Sequence, residues 1–148
     1  MPISLTLFNG YGTGNEHADI AGLDHVVIRT PAPERAVALY GGRLGLDLRL
    51  DRTNPATGNR MLFFVCGGLV VEIVHDARHD SGQAADRFGG LAWRARDIDR
   101  AHARMLADGI AVSEMRQGRR PGSQVFTVKS HTEGIPTLVI GGDGLHRS

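Results

Sequence analysis

The stretch Gly22-Leu23-Asp24-His25-Val26-Val27-Ile28-Arg29 is written a second time, in altered form, as Arg87-Phe88-Gly89-Gly90-Leu91-Ala92-Trp93-Arg94. An offset of 65 residues pairs His25 with Gly90 and Arg29 with Arg94, and it also pairs Ala36 with Ala101. Further along, Gly68-Leu69-Val70-Val71-Glu72 lies over Gly134-Ile135-Pro136-Thr137-Leu138 at an offset of 66, a drift of one residue across the whole repeat. The chain therefore reads as one design used twice, with His25 and Glu72 of the first copy standing where the second has Gly90 and Leu138.

Working outward, the first copy opens with a β-branched strand at Leu23 to Arg29, and Thr30-Pro31-Ala32-Pro33 turns the chain into a helix. Ala36, Leu39, Tyr40 and Leu44 recur at helical spacing, and Gly45 supplies a C-terminal stop. Strands follow at Leu46 to Leu50, Met61 to Cys66 and Leu69 to His75. The second copy repeats the plan: a strand at Leu91 to Ala95, Asp97 as an N-cap, a helix carrying Ile98, Ala101, Met105 and Leu106, a stop at Gly109, then strands at Ile110 to Met115, Gln124 to Lys129 and Thr137 to Ile140. Each copy is a β-α-β-β-β module. The basic loop Arg116 to Pro121 reads most simply as a solvated hairpin turn. Residues 1–20 form an arm with one short strand expected at Ile3 to Phe8, and Gly10-Tyr11-Gly12-Thr13-Gly14-Asn15 lacks the spacing of a phosphate-binding loop. One domain is expected over 21–141, with module one at 21–75, a linker at 76–87, module two at 88–141 and a tail at 142–148.

A length of 148 residues suits a single domain, and two modules must share it. Hydrophobic residues make up 41% and charged residues 22%, and no apolar run approaches the roughly 20 residues that span a bilayer. No membrane association is expected. The N-terminus has no basic segment ahead of its short apolar stretch, so cytoplasmic residence is the default. A net charge of +1 with 5% aromatic residues argues against nucleic acid and for a small-molecule ligand. Cys66 is the only cysteine, which excludes a cysteine-based zinc site within one chain, and its place in an apolar run predicts a buried, inert thiol.

Two β-α-β-β-β modules in tandem, the first ending its helix in Tyr40-Gly41-Gly42-Arg43-Leu44-Gly45-Leu46, resemble the vicinal oxygen chelate superfamily. That group contains glyoxalase I, bleomycin-resistance proteins, fosfomycin-resistance enzymes and extradiol dioxygenases. The opening strand Asp24 to Ile28 and the Gly-x-x-x-Glu strand at Gly68 to Glu72 carry the rest of the resemblance. It implies an α+β fold in which two tandem βαβββ modules form a curved, cup-like mixed sheet with helices on the outer face, assembled as a homodimer. It also implies metal ligands on the first and last strand of each module.

By that resemblance His25 and Glu72 are the metal-ligand candidates, suited to zinc, nickel, manganese or iron. Gly90 and Leu138 offer no donor at the corresponding positions of the second module, so weak or absent metal binding is expected. The missing second histidine argues most directly against a dioxygenase. Three readings of His25 and Glu72 stay open: metal ligands, a metal-free acid-base or substrate-binding pair, and a structural remnant. Arg29 and Arg94 each lie four residues beyond the His25/Gly90 pair and would point into the cup to bind a carboxylate, provided their strands carry no bulge. The plainer alternative is that they reach solvent or pair with an acid. His75, His79, His131 and Glu133 lie off the family's ligand positions, and nothing singles out His17, His102 or His146.

Two functions of different class follow. One is a glyoxalase-like lyase or isomerase in which a divalent ion, as Lewis acid, or Glu72 alone, as catalytic base, acts on a small, oxygen-rich anion. The other is a metal-free protein of the bleomycin-resistance type that binds or sequesters a small molecule.

Overall fold

The computed structural model describes residues 18–78 and 84–142. The strand expected at Ile3 to Phe8, the glycine-rich stretch after it, and His17, His79 and His146 lie outside the described residues. The elements run β1 (Ile20–Arg29), α1 (Pro33–Ala36) continuing into a π-helical turn (Val37–Arg43), β2 (Asp47–Thr53), β3 (Arg60–Cys66) and β4 (Leu69–His75). The second module runs β5 (Arg87–Ala95), α2 (Ile98–Ala107), β6 (Arg116–Gln117), β7 (Ser123–Val128) and β8 (Thr137–Gly142).

All eight strands join one open mixed sheet in the order β2-β3-β4-β1-β5-β8-β7-β6. Within each module the first and last strands are parallel neighbours, β1 with β4 and β5 with β8, and β1 and β5 meet antiparallel to fuse the modules edge to edge. Strand alternation then sorts the side chains. In module one Ala36, Leu62, Phe64 and Ile73 pack into one core, and in module two Ala95, Ile98, Ala101, Phe126 and Val139 pack into another. Ala36 and Ala101, paired by the repeat, are both fully buried in their module's core. Burying each phenylalanine at these centres stabilises the fold by about 1.5–3 kcal/mol. The opposite face of the sheet is left for His25, Val27 and Glu72. No described helix is long and apolar enough to cross a membrane.

Several local features differ from the sequence expectation. The first helix is α-helical for only one turn before widening, with Leu44 N–H donating to Leu39 O at 2.9 Å. Gly41 and Gly42 weaken the regular helix there, and Gly45, at φ +70°, ends it in the left-handed conformation. The strand expected at Ile110 to Met115 is reduced to a single bridge between Val112 and Val128. Cys66 is exposed rather than buried, since it ends β3 at the Gly67-Gly68 turn and the apolar run carries it past the core. Asp97 does cap α2, accepting from Arg100 N–H at 2.9 Å.

Candidate functional site

His25 and Glu72 meet on the sheet face opposite the helices. The parallel register sets His25 beside Val70 and Val27 beside Glu72, so the two functional side chains sit one step apart on adjacent strands. His25 Nε2 lies 3.4 Å from Glu72 Oε2. Glu72 is 4% exposed, an ionisable group buried where only charged or polar partners make its presence tolerable.

A second carboxylate completes the first strand's contribution. The register of β1 against β5 slips between Leu23 and His25, leaving Asp24 as the extra residue of a bulge. The bulge brings consecutive side chains together, with His25 Nδ1 2.9 Å from Asp24 Oδ2. When Asp24 accepts the Nδ1 proton, Nε2 is left facing Glu72, so any hydrogen bond across that 3.4 Å contact needs a proton from either His25 or Glu72. Burial alone would push the Asp24 carboxyl up. The hydrogen bond to His25 and the charges of Arg120, His25 and Arg94 outweigh that effect and hold its carboxyl below the ordinary aspartate range.

The arginines reach the site from module two. Arg94 Nε and Nη2 both lie 3.3 Å from Asp24 Oδ1, so this residue pairs with an acid beneath the site. Arg29 ends β1 exposed, with no place in the lining of the cavity beside His25. A further register slip lies between Val27 and Ile28, with Gly89 the extra residue on β5, where an added Cβ would fall 2.8 Å from Val27 Cγ1 and 3.3 Å from Arg29 Cγ.

The loop after β6 corrects the expectation of a solvated turn. Arg119 Nη1 donates to Glu72 Oε1 at 2.9 Å and approaches Met61 Sδ at 3.4 Å, and Arg120 Nη2 lies 3.5 Å from Asp24 Oδ2. Ser123 fixes the loop from below: its hydroxyl donates to Arg120 O at 2.7 Å, and its own N–H donates to the same oxygen at 3.0 Å. Buried Ser123 thus anchors a hairpin whose two arginines lie over the first module's acids. Asp24, Arg119 and Arg120 are the site residues that sequence reasoning missed. The adjacent Asp24-His25 pair and the Arg-Arg step framed by Gly118 and Pro121-Gly122 were the only traces of them.

Beside His25 lies a cavity of about 310 Å³ whose walls include Val27, Gly90, Leu91, Ala92, Pro136 and Leu138. The two positions that lost donors in the second copy therefore line an apolar space. Gly90 is fixed by geometry, at φ +142° and with a Cβ that would fall 2.6 Å from Pro136 O. A larger groove of about 980 Å³ passes Arg94, Asp97 and Gln124 in module two; of the two spaces only the smaller is lined by His25.

The donor set does not fit a tightly held divalent ion. His25 and Glu72 supply two donors where a catalytic zinc keeps three protein ligands, and Arg119 already occupies the other carboxylate oxygen. Among the described residues no group of three or more His, Cys, Asp or Glu side chains is placed to hold a metal.

Residues 22–134 match the family model described as the Glyoxalase/Bleomycin resistance protein/Dioxygenase superfamily. Among solved structures, methylmalonyl-CoA epimerase from Mycobacterium tuberculosis superposes with a TM-score of 0.69 at 19% identity, covering 86% of this chain and 91% of the other. A hypothetical protein from Bacillus halodurans C-125 gives 0.68 at 18% identity over 85% and 97%. A methylmalonyl-CoA epimerase variant from Streptomyces coelicolor, in complex with 2-nitronate-propionyl-CoA, gives 0.68 at 19% over 87% and 99%. At these identities the likeness is one of fold. A search of curated protein sequences finds no match.

Proposed function

Because the chain belongs to the Glyoxalase/Bleomycin resistance protein/Dioxygenase superfamily, we propose that its inner sheet face binds a small, oxygen-rich anion and acts on it by acid-base chemistry of the lyase or isomerase type. The observation that carries this reading is the buried Glu72 carboxylate, held between His25 at 3.4 Å and Arg119 at 2.9 Å. Glu72 is the proposed base, abstracting a proton next to a carbonyl, and His25, oriented by Asp24, is the group that exchanges protons with it. Three guanidiniums, Arg94, Arg119 and Arg120, surround two carboxylates, Asp24 and Glu72, so with His25 neutral these side chains sum to +1 and favour an anion. Arg94 supports this field from beneath Asp24, while Arg29 is proposed as an outer anion-guiding group at the strand end. The epimerases among the similar folds are named for a reaction at a carbon next to a carbonyl, which is compatible with this class.

Binding without turnover is the second reading, and the Arg119 contact favours it, because that guanidinium already occupies one of the two Glu72 carboxylate oxygens. Hydrogen exchange separates the two. A panel of small 2-oxo and 3-oxo carboxylates in heavy water, followed by NMR, should show deuterium entering next to the carbonyl in the presence of protein. Glu72→Gln should slow that exchange by about 10²-fold or more. Ligands that bind without exchange assign the site to sequestration.

Assembly as a homodimer is part of the same proposal. Leu39, Leu44, Leu48 and Leu50 are exposed large hydrophobics around the first helix and the edge strand β2, and a second copy would cover them. Sedimentation as a monomer at micromolar concentration would remove that part.

A further inference from the structure

The charged site and the apolar cavity meet at His25, which faces Glu72 and lines the cavity wall. Arg119 touches Glu72, Glu72 faces His25, and His25 lines the cavity of about 310 Å³, near the lower end of the range for small-molecule sites. Polar groups stand at its border as well, with Arg116 Nη2 donating to Thr127 Oγ1 at 3.0 Å and both residues lining the cavity. Apart from Thr137, whose hydroxyl donates to Ile135 O at 2.8 Å, the remaining walls are aliphatic or bare backbone, among them Val27, Gly90, Ala92, Pro136 and Leu138.

Resting on the anion-binding reading above, we infer that the ligand of this site is a small aliphatic monocarboxylate, with its carboxylate on Arg119 and its chain in the Val27, Gly90, Pro136 and Leu138 cavity. Arg119 is suited to the head group. It is 70% exposed, and its contacts with described residues, to Glu72 and Met61, use Nη1. A guanidinium carries five N–H donors, so the Nε and Nη2 edge remains for a bidentate carboxylate. The cavity is suited to the chain because Leu138 and Gly90 replace polar donors with apolar surface, and burying methylenes there gains affinity in proportion to their number.

Titration calorimetry of the full chain with the straight-chain series from acetate to hexanoate tests this. Affinity should rise about fourfold per methylene until the cavity is filled and then level off. Arg119→Gln should weaken every member by a common factor of about tenfold or more and keep the slope, while Leu138→Asn should flatten the slope and keep acetate binding. Melting curves of both variants establish that they are folded. An affinity that ignores chain length, an Arg119→Gln variant that binds as wild type does, tighter binding of butyl phosphate than of pentanoate, or no binding at millimolar concentration each overturns the inference. A rising series with no hydrogen exchange supports this ligand class while failing the acid-base reading. Exchange on the oxo-acid panel without any chain-length dependence does the reverse.

Discussion

Arg119 of the second module lies 2.9 Å from the Oε1 atom of Glu72 in the first, an ion pair that joins the two halves of the repeat across the site beside those of Arg94 and Arg120 with Asp24. Glu72 is buried and Arg119 is mostly exposed, an asymmetry that sets the energetics. Removing the arginine leaves a buried carboxylate short of a partner, whereas removing both charges leaves little to compensate. Solvent around the guanidinium screens the pair, so the coupling is expected near 1 kcal/mol rather than at the value for a fully buried pair. A double-mutant cycle with Arg119→Gln and Glu72→Gln, read by urea denaturation, measures it. A coupling within 0.2 kcal/mol of zero, as an order-of-magnitude threshold, would mean that the contact holds nothing together.

Asp24 makes stability depend on acid. Its carboxyl is held below the ordinary aspartate value in the folded protein, against the opposing pull of burial, by the hydrogen bond to His25 and by the Arg120, His25 and Arg94 charges. The folded state therefore binds that proton more weakly than the unfolded state does. The contribution to stability is full above the unfolded pKa of about 3.9 and is lost as pH falls from there through the lower folded value. Melting temperatures between pH 7 and pH 2.5, taken as an approximate working range, should fall more steeply below pH 4 for wild type than for Asp24→Asn. The variant should start lower at neutral pH. Parallel curves for the two proteins would show that Asp24 is not the group responsible.

How much of this was legible in the chain differs between fold and site. Ala36 and Ala101 matched across the repeat, and both are fully buried in their module's core, so packing wrote the duplication into the sequence. His25 and Glu72 could be brought together by strand alternation and by the neighbouring first and fourth strands, both of which are regular. Asp24 was not legible, because alternation sends it to the opposite face from His25 and only a bulge reverses that. Arg119 and Arg120 were not legible either. A hairpin rich in Arg and Gly looks the same in sequence whether it meets solvent or another module's acids, and the pairing partners lie 47 and 96 residues away. Cys66 misled for a local reason: apolar neighbours marked the strand, but its last residue lies at the turn rather than in the core.

Metal content follows from the donor count. With two protein donors and a guanidinium on the carboxylate, divalent ions should bind weakly, so elemental analysis after purification and dialysis should find zinc, nickel, manganese and iron well below one per chain. Dialysis against a chelator should leave the melting temperature unchanged. A tight, near-stoichiometric ion lost in both His25→Ala and Glu72→Ala would falsify this and restore a metal centre built on those residues.

Gly90 should resist replacement for a reason unconnected with ligand binding. A Cβ at this position would lie 2.6 Å from Pro136 O and 3.0 Å from Pro136 Cβ, with the backbone at φ +142°. Both the contact and the backbone angle oppose any L side chain, and Leu91 N–H donates to the same Pro136 oxygen at 2.9 Å, so the neighbour cannot withdraw without breaking a strand hydrogen bond. Gly90→Ala is expected to cost about 2 kcal/mol or more, a drop of several degrees in melting temperature. Leu138→Gln, at the other donor-less position, introduces no backbone strain because Leu138 pairs in an ordinary register with Thr127 and Ala92. If Gly90→Ala melts no lower than wild type, β5 and β8 can separate there. Restoring a ligand side chain at position 90 would then be open to this fold, and the present donor set would reflect the sequence alone rather than the spacing of the two strands.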